Sequence, residues 1–149
     1  MTKYPNDLLV CAECGGNIAR RLATVAVPVG ARGTIDVSRR LQRCESCGEI
    51  YYAAGEADAV RREANDEVRR REGLLFPEEI KELRTALGLS QAEFERLLRV
   101  GPKTVVRWER GTIFQNRATD TLLRTIRDVP AARAYLLGEL APTAVDRSA

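Results

Sequence analysis

The chain has 149 residues, enough for one domain or two small ones, with 44% hydrophobic and 30% charged residues, an ordinary soluble composition. Aromatic content of 5% argues against stacking platforms for single-stranded nucleic acid, and a net charge of +3 favours a nucleic-acid partner only where the cations cluster. No apolar run reaches the length of a membrane span and no signal peptide is evident at the start, so the expected location is cytoplasmic; with no histidine in the chain, nucleophilic Cys/His and Ser/His arrangements are excluded.

Residues 1–54 hold all four cysteines and the best strand candidates. "RLATVAVPV" (21–29) is rich in β-branched residues and is followed by Gly30 and Gly33 as turn signals. "TIDVSRRLQRC" (34–44) alternates at Ile35, Val37 and Leu41, and "EIYYAA" (49–54) reads as a third strand. The thiols come in two Cys-x-x-Cys pairs, "CAECGG" and "CESCGE". Each pair brings two sulfurs to one ion from a single turn, and the glycine after it permits the positive φ that such a turn favours. In a reducing compartment this pattern reads as metal ligands rather than disulfides. A redox pair is disfavoured because the motif occurs twice without a βαβ pattern. Cys11, Cys14, Cys44 and Cys47 therefore form a predicted tetrahedral thiolate set that selects zinc first and iron second. With every position filled by protein, the one Zn2+ ion per chain is expected to be structural, leaving no site for activated water.

Residues 55–73, "GEADAVRREANDEVRRREG", carry only Val60, Ala64 and Val68 as an apolar stripe, so a charged connecting helix or partly ordered linker is expected. From residue 74 to 140 the pattern is helical. "FPEEIKELRTALG" starts with a proline at the first helical position and stops at Gly88, with Ile80, Leu83 and Leu87 on one face. "SQAEFERLLRV" opens with a capping box, Ser90 and Glu93, and has Phe94, Leu97 and Leu98 as its apolar side. Gly101-Pro102 opens "PKTVVRWER", where Val105 and Trp108 share one face and Lys103, Arg107 and Arg110 fall together on the opposite one. "RATDTLLRTIRDV" (117–129) and "PAARAYLLGEL" follow, and residues 141–149 read as a flexible tail. The fold class is thus α+β: a small β-rich four-cysteine zinc domain (1–54), a charged helical linker (55–73) and an all-α helix-turn-helix domain of about five helices (74–140).

"LRTALGLSQAEFERLLRVGPKTVVRWERG" resembles the Cro/repressor (Xre-type) family, with "GLSQAEF", Val100, Val105, Trp108 and "RWERG" in register. The resemblance implies that "PKTVVRWER" lies in the major groove of DNA. Arg107 would offer a bidentate fork to guanine, Lys103 would enter the groove a turn earlier, and Val106 would touch a thymine methyl. Gln91 matches the family glutamine that bonds backbone phosphate, and Thr104 is a second phosphate candidate at a helix N-terminus. For Arg110 both a phosphate contact and a surface ion pair stay open. Glu95 and Glu109 are expected to partner nearby arginines. Proteins of this type bind palindromic operators as homodimers, and Leu122, Leu123, Ile126, Leu136, Leu137 and Leu140 are candidates for either core or dimer surface.

The order of parts, two Cys-x-x-Cys-Gly knuckles, a spacer and then the helix-turn-helix, resembles the MqsA family of antitoxins, in which a YgiT-type zinc finger is fused to an Xre-type domain. That resemblance covers roughly residues 8–137. It implies a non-enzymatic antitoxin of a type II toxin–antitoxin system. The zinc domain would neutralise a small cognate toxin, an mRNA-cleaving ribonuclease in the best-known pairs, and the C-terminal domain would dimerise and repress its own operon. The alternative is a stand-alone transcription regulator that senses metal or thiol oxidation; a zinc-ribbon adaptor acting on an enzyme or the ribosome is a third reading.

Overall fold

The computed structural model describes residues 8–140, so the tail expected over 141–149 lies outside the described residues. The chain divides between Arg71 and Glu72 into two compact units.

The first unit is built on a long hairpin. Strands β1 (Ile18–Pro28) and β2 (Thr34–Cys44) pair antiparallel without a break from Ile18↔Cys44 to Pro28↔Thr34, and β3 (Ile50–Tyr51) adds to β2 opposite Arg43 and Gln42. β1 begins three residues earlier than the sequence pattern predicts, and β3 is only a two-residue strand within the expected 49–54. The hairpin turns through a short 3-10 segment, Gly30–Arg32, where Gly30 (φ 55°) and Gly33 (φ 84°) occupy the left-handed region closed to most side chains. Strand alternation puts Ala23, Ile35, Val37 and Leu41 on one face, all buried.

The charged segment 55–73 forms helix α1 (Glu56–Glu72), which packs within the first unit up to Arg71. Its stripe of Val60, Ala64 and Val68 is 4%, 0% and 3% exposed, and Asn65 and Arg69 are buried with it. Ion pairs Glu56–Arg20 and Glu63–Arg39, both 2.6 Å, tie it to β1 and β2. A two-stranded ribbon has little apolar area to cover, so a narrow stripe suffices where a larger core would demand a wider one. Outside that stripe, Arg70 and Arg71 both pair with Glu67 at 3.0 and 2.8 Å, the local bridges that such charge runs ordinarily make.

Among the described residues the second unit contains five helices: α2 (Pro77–Ala86), α3 (Gln91–Leu98), α4 (Thr104–Glu109), α5 (Arg117–Asp128) and α6 (Pro130–Leu140). Pro77 supplies the preset φ at the first position of α2, and Glu79 returns to accept the Phe76 N–H at 2.8 Å. The Ser90–Glu93 capping box closes α3 reciprocally, at 3.2 and 2.8 Å. Leu75, Ile80, Leu83, Phe94, Leu97, Leu98, Val105, Trp108, Leu123 and Ile126 form one buried cluster. Leu123 and Ile126 are therefore core, whereas Leu122, Leu136, Leu137 and Leu140 pack on that cluster from its rim and stay partly exposed. Asp120, 3% exposed, accepts from the Leu75 N–H (2.8 Å), Gln115 (3.0 Å) and Arg124 (2.8 Å), which pins the entry segment of the unit to α5.

Candidate metal centre and nucleic-acid interface

The two cysteine pairs fold into knuckles of the same design. In the first, the Cys11 N–H donates to Gly16 O (2.8 Å) and the Gly15 N–H to Cys11 O (2.9 Å); in the second, the Cys44 N–H donates to Glu49 O (2.8 Å) and the Gly48 N–H to Cys44 O (3.0 Å). Gly15 (φ 71°) and Gly48 (φ 80°) adopt the positive φ that the Cys-x-x-Cys-Gly spacing foretold. Gly16 answers a different need, close approach: a Cβ there would sit 2.5 Å from Ser46 Oγ and 3.1 Å from Cys44 Sγ.

The knuckles face each other, one at the entrance to β1 and the other between β2 and β3. Cys11 Sγ lies 3.6 Å from Cys47 Sγ and Cys14 Sγ 3.5 Å from Cys44 Sγ, with all four sulfurs within 4.8 Å of one another. None is in a disulfide. Four sulfurs at about 2.3 Å from one tetrahedral ion stand about 3.8 Å apart, so this cluster is already near ligating geometry.

Tyr51 was not singled out by the sequence, yet it completes the centre. Its hydroxyl contacts Cys11 Sγ at 3.2 Å and accepts the Ala12 N–H at 3.1 Å. β3 exists to the extent of two residues, and those two carry Tyr51 from the second knuckle to the first. The Tyr51 hydrogen bond draws the Cys11 thiol down to about 6, and the Cys47 amide lowers Cys44. For Cys14 and Cys47 the Gly16 and Glu49 amides pull downward, but burial and neighbouring thiols win, raising Cys14 and pushing Cys47 up to about 12. Four sulfurs this close cannot all carry negative charge unaided. A bound divalent cation removes that conflict, so the donor set fits a metal ion held by Cys11, Cys14, Cys44 and Cys47.

In the second unit, α3, a turn and α4 make the helix-turn-helix. Arg99 closes α3 in the left-handed region (φ 54°), and Lys103 precedes α4 in the same region (φ 61°). The helix expected to open at Pro102 thus starts at Thr104, with Lys103 as its N-cap. Val105 and Trp108 are 0% and 4% exposed, whereas Lys103, Arg107 and Arg110 are exposed. Arg107 spends its Nε on the Lys103 carbonyl (3.1 Å), and Arg110 forms no ion pair with a described residue. Thr104 and Val106 are half-buried.

Two acidic residues fix α4 in place. Glu95, buried on α3, accepts the Val105 N–H at 3.1 Å and so caps the first turn of α4 rather than pairing an arginine as expected. Glu109 does pair an arginine: it accepts from Arg84 Nε (2.5 Å) and Nη2 (3.1 Å). Its Oε2 also accepts from Gln91 Nε2 at 2.8 Å, so the expected phosphate-binding glutamine is held against α4 with one amide hydrogen already used. Against the cost of burial, Arg84 and Gln91 hold the Glu109 carboxyl below the usual range.

Among the described residues no helix is long and apolar enough to cross a membrane. No curated protein matches the chain. A family model described as the antitoxin component of bacterial toxin-antitoxin system, MqsA, matches residues 9–140, which takes in both knuckles, α1 and the whole helical unit. A match over nearly the whole length shows the relationship, and the chain belongs to the MqsA family of antitoxins.

Proposed function

We propose that the protein is the antitoxin of a type II pair that neutralises a small toxin through its four-cysteine unit and represses its own operon through the helical unit. The observation that carries this reading is the family match running through both units. The reading is non-enzymatic: it calls on binding alone, with Zn2+ held by the four thiolates as a structural ion that supplies folding energy to a unit with a small core.

For DNA, support comes from Lys103, Arg107 and Arg110 exposed around an α4 whose apolar side is sealed in the core. Arg107 retains free Nη groups for a guanine edge, Lys103 stands at the leading end of α4, and Val106 is accessible enough for a thymine methyl. Gln91 keeps one amide hydrogen for a phosphate oxygen, and Thr104 and Arg110 are the other phosphate ligands. A palindromic operator requires a homodimer. Half-covered Leu136, Leu137 and Leu140 and exposed Val129 and Tyr135, all in or beside α6, supply the apolar surface for it.

The test is two-part. Co-expression with the small protein encoded beside it should rescue growth. Arg107→Ala should lose roughly 1–3 kcal/mol on the operator and relax base preference, while Gln91→Ala weakens all sequences alike. An Arg107→Ala protein as tight and selective as wild type would remove α4 from the groove. The exposure of Cys14 and Cys47 favours a second reading, a thiol- or metal-responsive regulator. It demands that a chelator change operator affinity in the full-length protein and that no neighbouring gene product bind.

A further inference from the structure

The hairpin register leaves β1 with an open edge. At one end Asn17 O accepts the Glu45 N–H (2.9 Å) and at the other the Val29 N–H donates to Gly33 O (2.8 Å). With an unbroken register between them, the odd-numbered residues of β1 exchange main-chain bonds with β2, and the even-numbered ones turn their N–H and C=O groups the other way. Ile18 shows the outward direction, since its N–H donates to Leu9 O at 3.1 Å, next to the Val10↔Asn17 bridge. The chain thus begins to add a strand on this side and then leaves it, the Leu8 N–H going instead to Gln42 Oε1 at 2.6 Å. Arg20 O, the next outward carbonyl, is taken by the Arg40 guanidinium at 3.3 Å.

From Leu22 onward the outward groups of Leu22, Thr24 and Ala26 have no strand beside them among the described residues, β1 being the outer strand of the sheet. Natural edges are usually blunted by charge, proline or a bulge. The stretch Leu22–Val27 has none of these until Pro28 ends it. At its Arg21–Leu22 end opens a cleft of about 670 Å³, lined by Arg21, Leu22, Arg43 and the second knuckle. Leu22 is 68% exposed there. The Arg43 guanidinium lies over Gly48, 3.3 Å from where a Cβ would be, and forms no ion pair with a described residue.

We propose that this edge is the docking site of the toxin: an extended segment of the toxin adds as a strand beside Leu22–Pro28 and places a carboxylate side chain in the cleft against Arg43. The proposal rests on the antitoxin reading of the first unit and specifies its surface. Main-chain pairing supplies the affinity, while Leu22 and Arg43 select an apolar and an acidic side chain at one end. Along Leu22–Val27 the edge offers main-chain N–H and C=O groups in alternation and its cations stand only at the cleft end, a pattern that fits a protein strand carrying one acidic side chain rather than a run of phosphates.

Because the Thr24 amide faces outward, proline there removes a docking bond without breaking the β1–β2 ladder. In the full-length metal-loaded protein, Thr24→Pro should weaken binding of the toxin encoded beside it at least tenfold, Thr24→Ala should stay within about threefold, and Arg43→Glu should weaken it about tenfold. Metal content should be unchanged in all three. Toxin binding by Thr24→Pro equal to wild type overturns the proposal, as does an equal loss in Thr24→Ala, which would make the side chain the contact. Ala26→Pro is the second edge variant; loss of metal in both proline variants would contradict the outward amides and overturn it too. Self-association lost in Thr24→Pro with toxin binding intact would assign the edge to a second copy, against the proposal. Wild type that binds no toxin at all would instead sink the antitoxin reading itself.

Discussion

Removing the carboxylate of Glu109 should unfasten the helix-turn-helix. Its side chain is 6% exposed and that of Arg84 12%, and it holds Arg84 through two bonds and Gln91 through a third. Glu109→Ala leaves a guanidinium and an amide buried without their acceptor. Breaking a buried pair in this way costs about 3–5 kcal/mol, and the residual access of water to Arg84 puts the expected loss at the lower end, about 3 kcal/mol. For a domain of this size about 3 kcal/mol lowers the melting midpoint by more than about 10 °C. Arg84→Met with Glu109→Leu should recover much of the loss, because no charge is then stranded. The Glu109 carboxyl titrates below its ordinary value in the folded unit, so its contribution is fully present above the unfolded glutamate range, about pH 4.3, and is lost as pH falls through the depressed folded value. The double variant should therefore lose less stability than wild type on acidification below about pH 4. Trp108 is the sole tryptophan and is buried in this unit, so its fluorescence during urea denaturation follows the helical unit alone. A Glu109→Ala protein within about 0.5 kcal/mol of wild type at pH 7 would mean that the Arg84–Glu109 pair does not hold α4 in place.

Cys44→Ser should release the single metal ion and unfold the hairpin unit while leaving the urea midpoint of Trp108 fluorescence unchanged; metal analysis and far-UV circular dichroism check both. Tyr51→Phe keeps the ring and removes the hydroxyl that touches Cys11, so metal affinity measured by chelator competition should fall about 10–100-fold, with exposed Tyr52→Phe as the unaffected control. Gly88, at φ 69° with nothing within 4 Å of where a Cβ would stand, should tolerate alanine sterically yet lose about 1 kcal/mol to left-handed strain, read as a lower urea midpoint.

Features encoded within a single turn of chain were legible in the residues alone. Two Cys-x-x-Cys-Gly spacings specified the knuckles because thiol reach and positive φ are settled within five residues. Ser90 with Glu93, and Pro77 with its acidic first turn, marked helix starts because capping is likewise local. The spacing of Val105 and Trp108 set which side of α4 faces inward, and the family resemblance read from that order of motifs agrees with the match over residues 9–140. Which distant groups meet depends on the folded chain. Tyr51 reaches Cys11 across 40 positions, Arg84 reaches Glu109 across 25, and the Leu75 amide reaches Asp120 across 45. No periodicity announces such pairs, because each partner alone looks like an ordinary exposed tyrosine, arginine or carboxylate. The same limit hid the role of α1, whose thin apolar stripe suits a solvated spacer equally well until a narrow hairpin is there to be covered. Burial is a property of what lies opposite, and that is fixed by the folded chain rather than by any window of its sequence.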